Sequence, residues 1–383
     1  MRLRILGIII DSMTLSEENV DVIPTERTDA VDQTVPLSAV FIDFVSRWLD
    51  KSDFANEKWP DQLSEQLIRS QVAARAKAKW RLERLLSDER AQSSIEGVYQ
   101  YFQDLMSGRA DSLNRIHRQY QFHAVVGAPR TGGSYLTAEL FSALGYEPTR
   151  VPAAIAHDGF PDAQPTFMRN DINHWVATTL SASEYLVIVE MYFSGCGSST
   201  VHVPKKLTKG VYAGSFFNTV LGQSAEYFVT IRHPIAACIS TYEKSGGLPA
   251  DGLIKARSNI EKWIIRDLVH TGAAEAELRH MDYFEAYVRS WEQYYITLAF
   301  SGLTAHRVRT IVPFARDTME NTARLMHARL GNNQAPKSFV AFSRLDERHP
   351  QWIPRAEEAL QRVGAAWRLA GLSFPYAELG QCA

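Results

Sequence analysis

Apolar residues repeat at intervals of three and four along the first third of the chain, which is the pattern of amphipathic helices. The repeat runs from Leu37 to Leu49, continues from Pro60 to Leu86, and returns between Ile95 and Leu105. Residues 11–35 are polar and acidic, and we expect residues 1–35 to form a flexible N-terminal arm. The pattern predicts an all-helical extension over residues 36–120.

The pattern changes at Phe122, where short apolar runs begin to alternate with helical repeats. The runs of strand length are Phe122–Val126, Tyr185–Val189, Thr200–Val203, Tyr227–Ile231 and Val308–Pro313. Strands that alternate with helices are typical of βαβ units and of a parallel sheet covered on both faces. The sequence therefore predicts an α/β domain over residues 121–383.

One loop in this domain has the composition of an anion site. Gly127-Ala-Pro-Arg-Thr-Gly-Gly-Ser134 follows the first predicted strand and opens a helix. Glycines let the backbone approach a ligand, and the first amides of a helix favour negative charge. The spacing is that of a Walker A loop, G-x-x-x-x-G-K-[ST], except that Gly133 stands at the lysine position. The cation of this loop is Arg130, whose guanidinium can bind phosphate at two points.

A second candidate anion site follows another predicted strand. Arg232 stands at the end of the run Tyr227–Ile231, Pro234 suits the first turn of a helix, and Ser240 comes eight residues after the arginine. Ligands of open α/β sheets bind outside the carboxyl ends of the strands, where this arginine and the first loop would meet. Two such sites predict a ligand with phosphate at both ends.

These two stretches resemble motifs of the sulfotransferases that use 3′-phosphoadenosine 5′-phosphosulfate (PAPS). The first motif of that family, P-[KR]-[ST]-G-[ST]-[ST] between a strand and a helix, is similar to Pro129–Leu136, although Gly133 replaces a serine or threonine. The second motif, a strand ending in Arg, then [DNH]-P, and a serine eight residues after the arginine, is similar to Arg232-His233-Pro234 with Ser240.

The resemblance covers about residues 120–375 and implies a P-loop NTPase-like fold, a central parallel sheet flanked by helices. A late strand and helix, Arg309–Gly331, also resemble the family, with Phe314-Ala315 in place of its Tyr-Glu pair. The segment Val340–Arg348 resembles the loop that closes over the nucleotide. The resemblance implies PAPS as sulfuryl donor, PAP as product and no required metal. It implies cofactor binding by Arg130, Thr131, Gly132, Gly133, Ser134, Tyr135, Arg232, Ser240 and Arg344, with Ser343 as a further candidate.

Sulfuryl transfer to a hydroxyl also calls for a base and for cations near the leaving group. His157, in a loop beyond the first motif's helix, is the first candidate base, and Glu190, at the end of the predicted strand Tyr185–Val189, is the second. The other candidates are Glu147, Asp158 and His202. Lys206 is the candidate second cation, and Lys205 and Lys209 compete with it.

The composition of the chain bears on its partners, its compartment and its possible functions. The chain has 383 residues and a net charge of −2, which does not favour a nucleic-acid partner. Three separated cysteines and no apolar run of eighteen residues predict a cytoplasmic protein without a transmembrane segment. The acceptor, a hydroxyl of a small molecule, lipid, glycan or peptide, is left open, and so is homo-oligomer formation. The alternatives are a P-loop kinase or NTPase-like enzyme, which needs Mg-ATP, and a non-catalytic nucleotide-binding scaffold.

Overall fold

The computed structural model describes residues 37–51, 80–146, 155, 172–195, 200–303, 307–340 and 349–381. Its N-terminal helices are α1 (Ala39–Leu49), α2 (Glu89–Ser107) and α3 (Asp111–Gln119), and residues 80–86 are also helical. Side-chain caps start two of them: Ser38 accepts a hydrogen bond from the amide of Phe41, and Asp88 accepts from the amides of Arg90 and Ala91.

Four parallel strands form the central sheet. They are β1 (Tyr120–Val126), β2 (Val201–Lys206), β3 (Glu226–Ile231) and β4 (Val308–Pro313), in the order β2-β1-β3-β4. The chain therefore passes from β1 to β2 on one side of it, and then crosses to β3 and β4 on the other side. This reversal places a topological switch point between β1 and β3, at the carboxyl edge of the sheet.

Helices cover both faces of this sheet. They are α4 (Gly133–Ala143), α5 (Ile172–Phe193), α6 (Gly214–Leu221), α7 (Pro234–Lys244), α8 (Asn259–His270), α9 (Glu275–Leu278), α10 (Tyr283–Phe300), α11 (Arg316–Arg329), α12 (Ile353–Leu369) and α13 (Tyr376–Gln381). Single 3₁₀ turns span Lys209–Ala213 and Pro350–Trp352. Of these helices and turns, none is long and apolar enough to cross a membrane, within the described part of the chain.

The two faces bury alternate residues of each strand, as the pleat requires. Ala124 and Val126 of β1 belong to the larger core cluster, whereas Val125 belongs to a smaller one shared with α4 and α11. Strands buried on both faces read as continuous apolar runs, as β1 and β3 do. The sequence pattern also identified the edge strand β4, which is fully buried only at Val312 and Pro313. The expected parallel α/β sheet covered by helices is confirmed.

One predicted strand is wrong. Tyr185–Val189 lies inside α5, a helix of 22 residues. A short apolar run does not distinguish a strand from a buried helix, and residues 178–189 are buried on every side of this one. The segment from 172 to 193 contains no glycine or proline, and this length without a breaker was the signal for a helix.

The helix α5 also joins the N-terminal helices to the sheet. Glu184 accepts hydrogen bonds from the amide and hydroxyl of Ser38, at 2.8 and 2.7 Å, and both residues are fully buried. The next residue faces the sheet: the ring of Tyr185 lies 6.3 Å from that of Phe122 in β1. The described N-terminal helices therefore share one hydrophobic core with the α/β part.

Candidate functional site

The loop between β1 and α4, residues 127–132, begins with a glycine that the packing requires. A Cβ at Gly127 would lie 2.0 Å from Oγ1 of Thr230, on the neighbouring strand β3. The amides of Gly127 and Ala128 donate to the hydroxyls of Tyr294 and Tyr295 of α10, at 3.1 and 3.3 Å. Helix α10 therefore fixes the start of the loop.

The second half of the loop has an unusual backbone. Arg130 has a φ of 68° and Gly132 a φ of 88°, both in the left-handed region. A non-glycine residue there costs roughly 1 kcal/mol, and such strain concentrates at ligand sites. Alternation of left-handed and right-handed residues turns successive amides toward one point and forms an anion-binding concavity. The helix α4 follows at once, and its first amides have no partner within the helix.

The two sequence motifs meet at this loop. Nε of Arg130 donates to Oγ of Ser240 at 3.0 Å, and a terminal nitrogen of Arg232 donates to the carbonyl oxygen of Arg130 at 3.2 Å. The guanidinium of Arg232 lies 4.0 Å from the ring centre of Phe314. The indole of Trp291 donates to the carbonyl oxygen of Arg232. The two arginines and the serine thus form one cluster at the switch point, although more than 100 residues separate Arg130 from Arg232 and Ser240 along the chain.

Lys206 brings a further cation to the loop from the end of β2. Its Nζ lies 3.4 Å from Oγ of Ser134, in the first turn of α4. A Cβ at Gly133 would lie 3.8 Å from Cε of Lys206. The neighbouring strand therefore supplies a positive charge close to the position that a Walker lysine occupies in sequence.

Positive charge dominates this edge of the sheet. Arg130, Lys206 and Arg232 follow or end three adjacent strands, and the amino end of α4 adds a partial positive charge. Burial lowers the pKa of the neighbouring His233 to about 4, so it is neutral at pH 7 and acts as the cap of α7. The arrangement can bind a doubly charged anion such as a phosphate or a phosphosulfate.

Two of the residues expected to bind cofactor use their side chains inside the protein. The hydroxyl of Thr131 donates to the carbonyl oxygen of Ala128 at 2.7 Å and also contacts Thr230. The hydroxyl of Tyr135 donates to the carbonyl oxygen of Lys337 at 2.6 Å. These side chains shape the loop and its covering segment, and their backbone amides are the groups that would face a ligand.

Two candidate bases lie in other surroundings than the sequence predicted. Glu190 does not end a strand: it lies near the end of α5 and pairs with Arg115 at 3.1 Å. His202 lies four residues before Lys206, about 13 Å back along β2 from the loop edge. Its Nδ1 lies 2.9 Å from Nε2 of His123, and burial lowers its pKa. Neither placement gives a direct contact with the loop.

The remaining candidates divide into two groups. Lys205 is fully buried on the opposite face from Lys206, with Nζ 4.2 Å from the ring centre of Tyr185 and donating to the carbonyl oxygen of Ile155. Lys209 begins the 3₁₀ turn after β2. Five other candidates lie outside the described residues: Glu147, His157, Asp158, Ser343 and Arg344.

Comparison of the chain with protein-family models, with curated proteins and with solved structures finds no match. The likeness to PAPS-dependent sulfotransferases therefore depends on the two motifs and on the geometry that joins them.

The sequence motifs did not mark Asp267 of α8, a fully buried carboxylate that accepts a hydrogen bond from Ser290 of α10 at 2.7 Å. The helical repeat of α8 contains a signal for the burial of Asp267. It shares the apolar stripe of α8 with Ile260, Trp263 and Ile264, where a lone acid is unusual.

Proposed function

We propose that this protein is a PAPS-dependent sulfotransferase that moves the sulfuryl group to an acceptor hydroxyl. The observation that carries the proposal is the meeting of Arg130, Arg232 and Ser240 around one strained loop, with Lys206 beside Ser134. A ligand with phosphate at both ends matches this arrangement. Either motif alone would fit many nucleotide-binding proteins.

In this proposal the two ends of the nucleotide have separate partners. The amides of residues 131–135, Ser134 and Lys206 hold the 5′-phosphosulfate, and Arg232 with Ser240 holds the 3′-phosphate. Arg130 lies between them, with its carbonyl bonded to one arginine and its Nε to the serine.

Transfer then needs stabilisation of the charge that develops on the leaving group. The acceptor oxygen attacks sulfur in line with the bond to the bridging oxygen, and negative charge moves onto that oxygen and the 5′-phosphate. Fixed cations and amides stabilise this charge better in the transition state than in the ground state. Lys206 and Arg130 are the cations assigned to this role.

A P-loop kinase or NTPase-like enzyme is the second candidate, because Lys206 could serve in place of the Walker lysine. Mg²⁺ prefers carboxylate and water ligands. Of the two strands that flank β1, β2 ends in Lys206 and β3 is followed directly by Arg232, which favours an anion held directly by the protein. A nucleotide-binding scaffold would share the binding site and differ only in having no turnover.

Calorimetric titration with PAP in magnesium-free buffer tests the proposal. We expect micromolar binding by the wild-type protein and a loss of about 10–100-fold in both Arg130→Ala and Lys206→Met, because each removes a charge-assisted hydrogen bond. Two exposed residues give matched controls, Arg90→Ala and Lys255→Met, which should bind like the wild type.

Labelled PAPS and a panel of hydroxyl acceptors then separate an enzyme from a scaffold. Labelled sulfate on any acceptor supports the enzyme, and tight PAP binding without turnover supports the scaffold. Binding of Mg-ATP with no binding of PAP would overturn the sulfotransferase proposal and favour the kinase.

A further inference from the structure

One aromatic ring contacts both motifs of the candidate site. Phe314 directly follows β4, and its amide donates to the carbonyl oxygen of Ile231, the last residue of β3, at 2.8 Å. This bond fixes the backbone of Phe314 beside the residue that precedes Arg232. The centre of the ring lies 4.0 Å from the guanidinium carbon of Arg232.

The same ring packs against the first motif. A Cβ built on Gly132 would lie 3.2 Å from Cδ2 of Phe314, which is closer than most contacts of a real Cβ. The missing side chain of this glycine therefore lets the loop approach the ring. Phe314 thus joins the strained loop to the arginine of the second motif.

The surroundings of Arg232 make the ring contact strong. Arg232 is 5% exposed, and the attraction between a cation and an aromatic face is largest where both are shielded from water. A carboxylate in the same place would neutralise the arginine and compete with an incoming phosphate. An aromatic face stabilises the cation without adding negative charge, so the positive charge stays available to an anion.

Two contacts within the protein hold the guanidinium in one position. One is the face of Phe314, and the other is the hydrogen bond from Arg232 to the carbonyl oxygen of Arg130 at 3.2 Å. An arginine side chain has many rotamers, and ordering it during binding costs affinity. An arginine that the protein itself orders avoids that cost.

Phe314 is in turn held by the segment that follows α11. The ring of Phe339 meets it edge to face, with the ring centres 5.1 Å apart. Phe339 is buried, its amide donates to Glu320 at 2.8 Å, and its carbonyl oxygen accepts from Arg316 at 3.2 Å. The packing of the protein therefore sets the position of the ring.

We propose that Phe314 is a positioning residue for the 3′-phosphate, because its ring holds the guanidinium of Arg232 against the loop. The inference rests on the proposed function, which assigns Arg232 to that phosphate. In this role Phe314 acts through Arg232 and takes no part in the chemistry of transfer.

Calorimetric titration of PAP and of AMP, which lacks the 3′-phosphate, measures this role. Phe314→Leu keeps apolar bulk and removes the aromatic face, so PAP affinity should fall by about 3–30-fold, the range expected for a buried contact between a cation and a ring. AMP affinity should change little. Phe314→Tyr keeps the aromatic face and should retain the wild-type preference for PAP.

Two further variants separate positioning from packing. Phe374→Leu is a matched control, because Phe374 is also half-buried and packs against Trp367, and it should bind both nucleotides like the wild type. Phe314→Leu combined with Arg232→Ala should show the same PAP preference as Arg232→Ala alone, because the ring then has no guanidinium to hold. An independent packing role would instead add the two losses.

An NMR measurement tests the ring contact without a nucleotide. Protons that lie over an aromatic face resonate upfield, so the Nε–H signal of Arg232 should be shifted upfield, and its loss in Arg232→Lys assigns it. The upfield shift should disappear in Phe314→Leu and persist in Phe314→Tyr.

Three results would overturn the positioning role. They are an equal loss of PAP and AMP affinity in Phe314→Leu, a wild-type PAP preference in that variant, and an Nε–H signal of Arg232 that Phe314→Leu does not move. In each case PAP binding by the wild type would still support the nucleotide site. No PAP binding by the wild type would be failure of the proposed function and would overturn the positioning role with it.

Discussion

Charged side chains have different kinds of partner at the two edges of the central sheet. At the carboxyl edge, Arg130 and Lys206 contact the uncharged hydroxyls of Ser240 and Ser134. At the other side lies the amino-edge cluster, which consists of His123, His202, Glu226 and Arg329. Its carboxylate accepts from Arg329 at 2.6 Å and lies 3.2 Å from Nδ1 of His123.

This difference separates charge that stabilises the fold from charge that is suited to bind a ligand. Burial alone would raise the pKa of Glu226, but the nearby His123 and the hydrogen bonds from Arg329 outweigh it and hold the pKa at about 2. Within the amino-edge cluster, the positive charge of Arg329 thus balances the negative charge of Glu226. At the carboxyl edge, Arg130 and Lys206 instead contact neutral hydroxyls beside a strained loop, which is the expected signature of an anion site.

The largest effect on stability is expected from the amino-edge cluster. Glu226→Gln should lower the free energy of unfolding by about 1–2 kcal/mol at pH 7, a value reduced for the partial exposure of this side chain. Because the folded pKa is depressed, this stabilisation is present above the ordinary glutamate range and is lost as pH falls from about 5 toward 2. Urea unfolding at pH 7 and pH 3 measures it.

The same variant gives a control on the comparison. Glu226→Gln should leave PAP affinity unchanged, and Lys206→Met should leave the urea midpoint unchanged while weakening PAP. If Glu226→Gln weakened PAP as much as Lys206→Met, the two edges would not be functionally distinct.

A smaller effect is expected inside the loop. A Cβ at Gly133 would meet its nearest neighbour, Oγ1 of Thr230, at 3.7 Å, so a serine fits there without a clash. Gly133→Ser should restore a hydroxyl that the related motif carries and tighten PAP binding roughly 2–10-fold. Titration of Gly133→Ala, which should bind like the wild type, separates the hydroxyl from the added bulk. Weaker binding by the serine variant would show that the amides of this loop, and not a hydroxyl, set the fit.

Much of the fold was predictable because local pattern and global burial agree in the strands. The runs that became β1 and β3 are buried along almost all of their length, so each gives a continuous apolar signal. The run in α5 gave the same signal from a helix buried on all sides. An apolar run of five residues does not distinguish a buried strand from a buried helix. The absence of glycine and proline over the whole segment 172–193 does.

The candidate site was predictable where a motif is local and not where it depends on packing. The loop and the spacing from Arg232 to Ser240 could be read from the chain. That Arg130 bonds to Ser240, and that Lys206 of another strand reaches Ser134, depends on strand order, which spacing does not determine. Asp267 was missed because its burial beside Ser290 depends on how α8 and α10 pack against each other.

The central claim is that the carboxyl edge binds the two phosphates of one nucleotide, with Arg232 on the 3′-phosphate. Calorimetric titration of PAP and of AMP, which lacks that phosphate, into wild type, Arg232→Ala and Arg130→Ala tests it most directly. The account predicts that the wild type prefers PAP by about 100-fold, as expected for lost charge-assisted hydrogen bonds. It predicts that Arg232→Ala reduces the preference to within a few-fold, and that Arg130→Ala weakens both nucleotides and keeps a clear preference for PAP. An unchanged preference in Arg232→Ala would contradict the two-ended site.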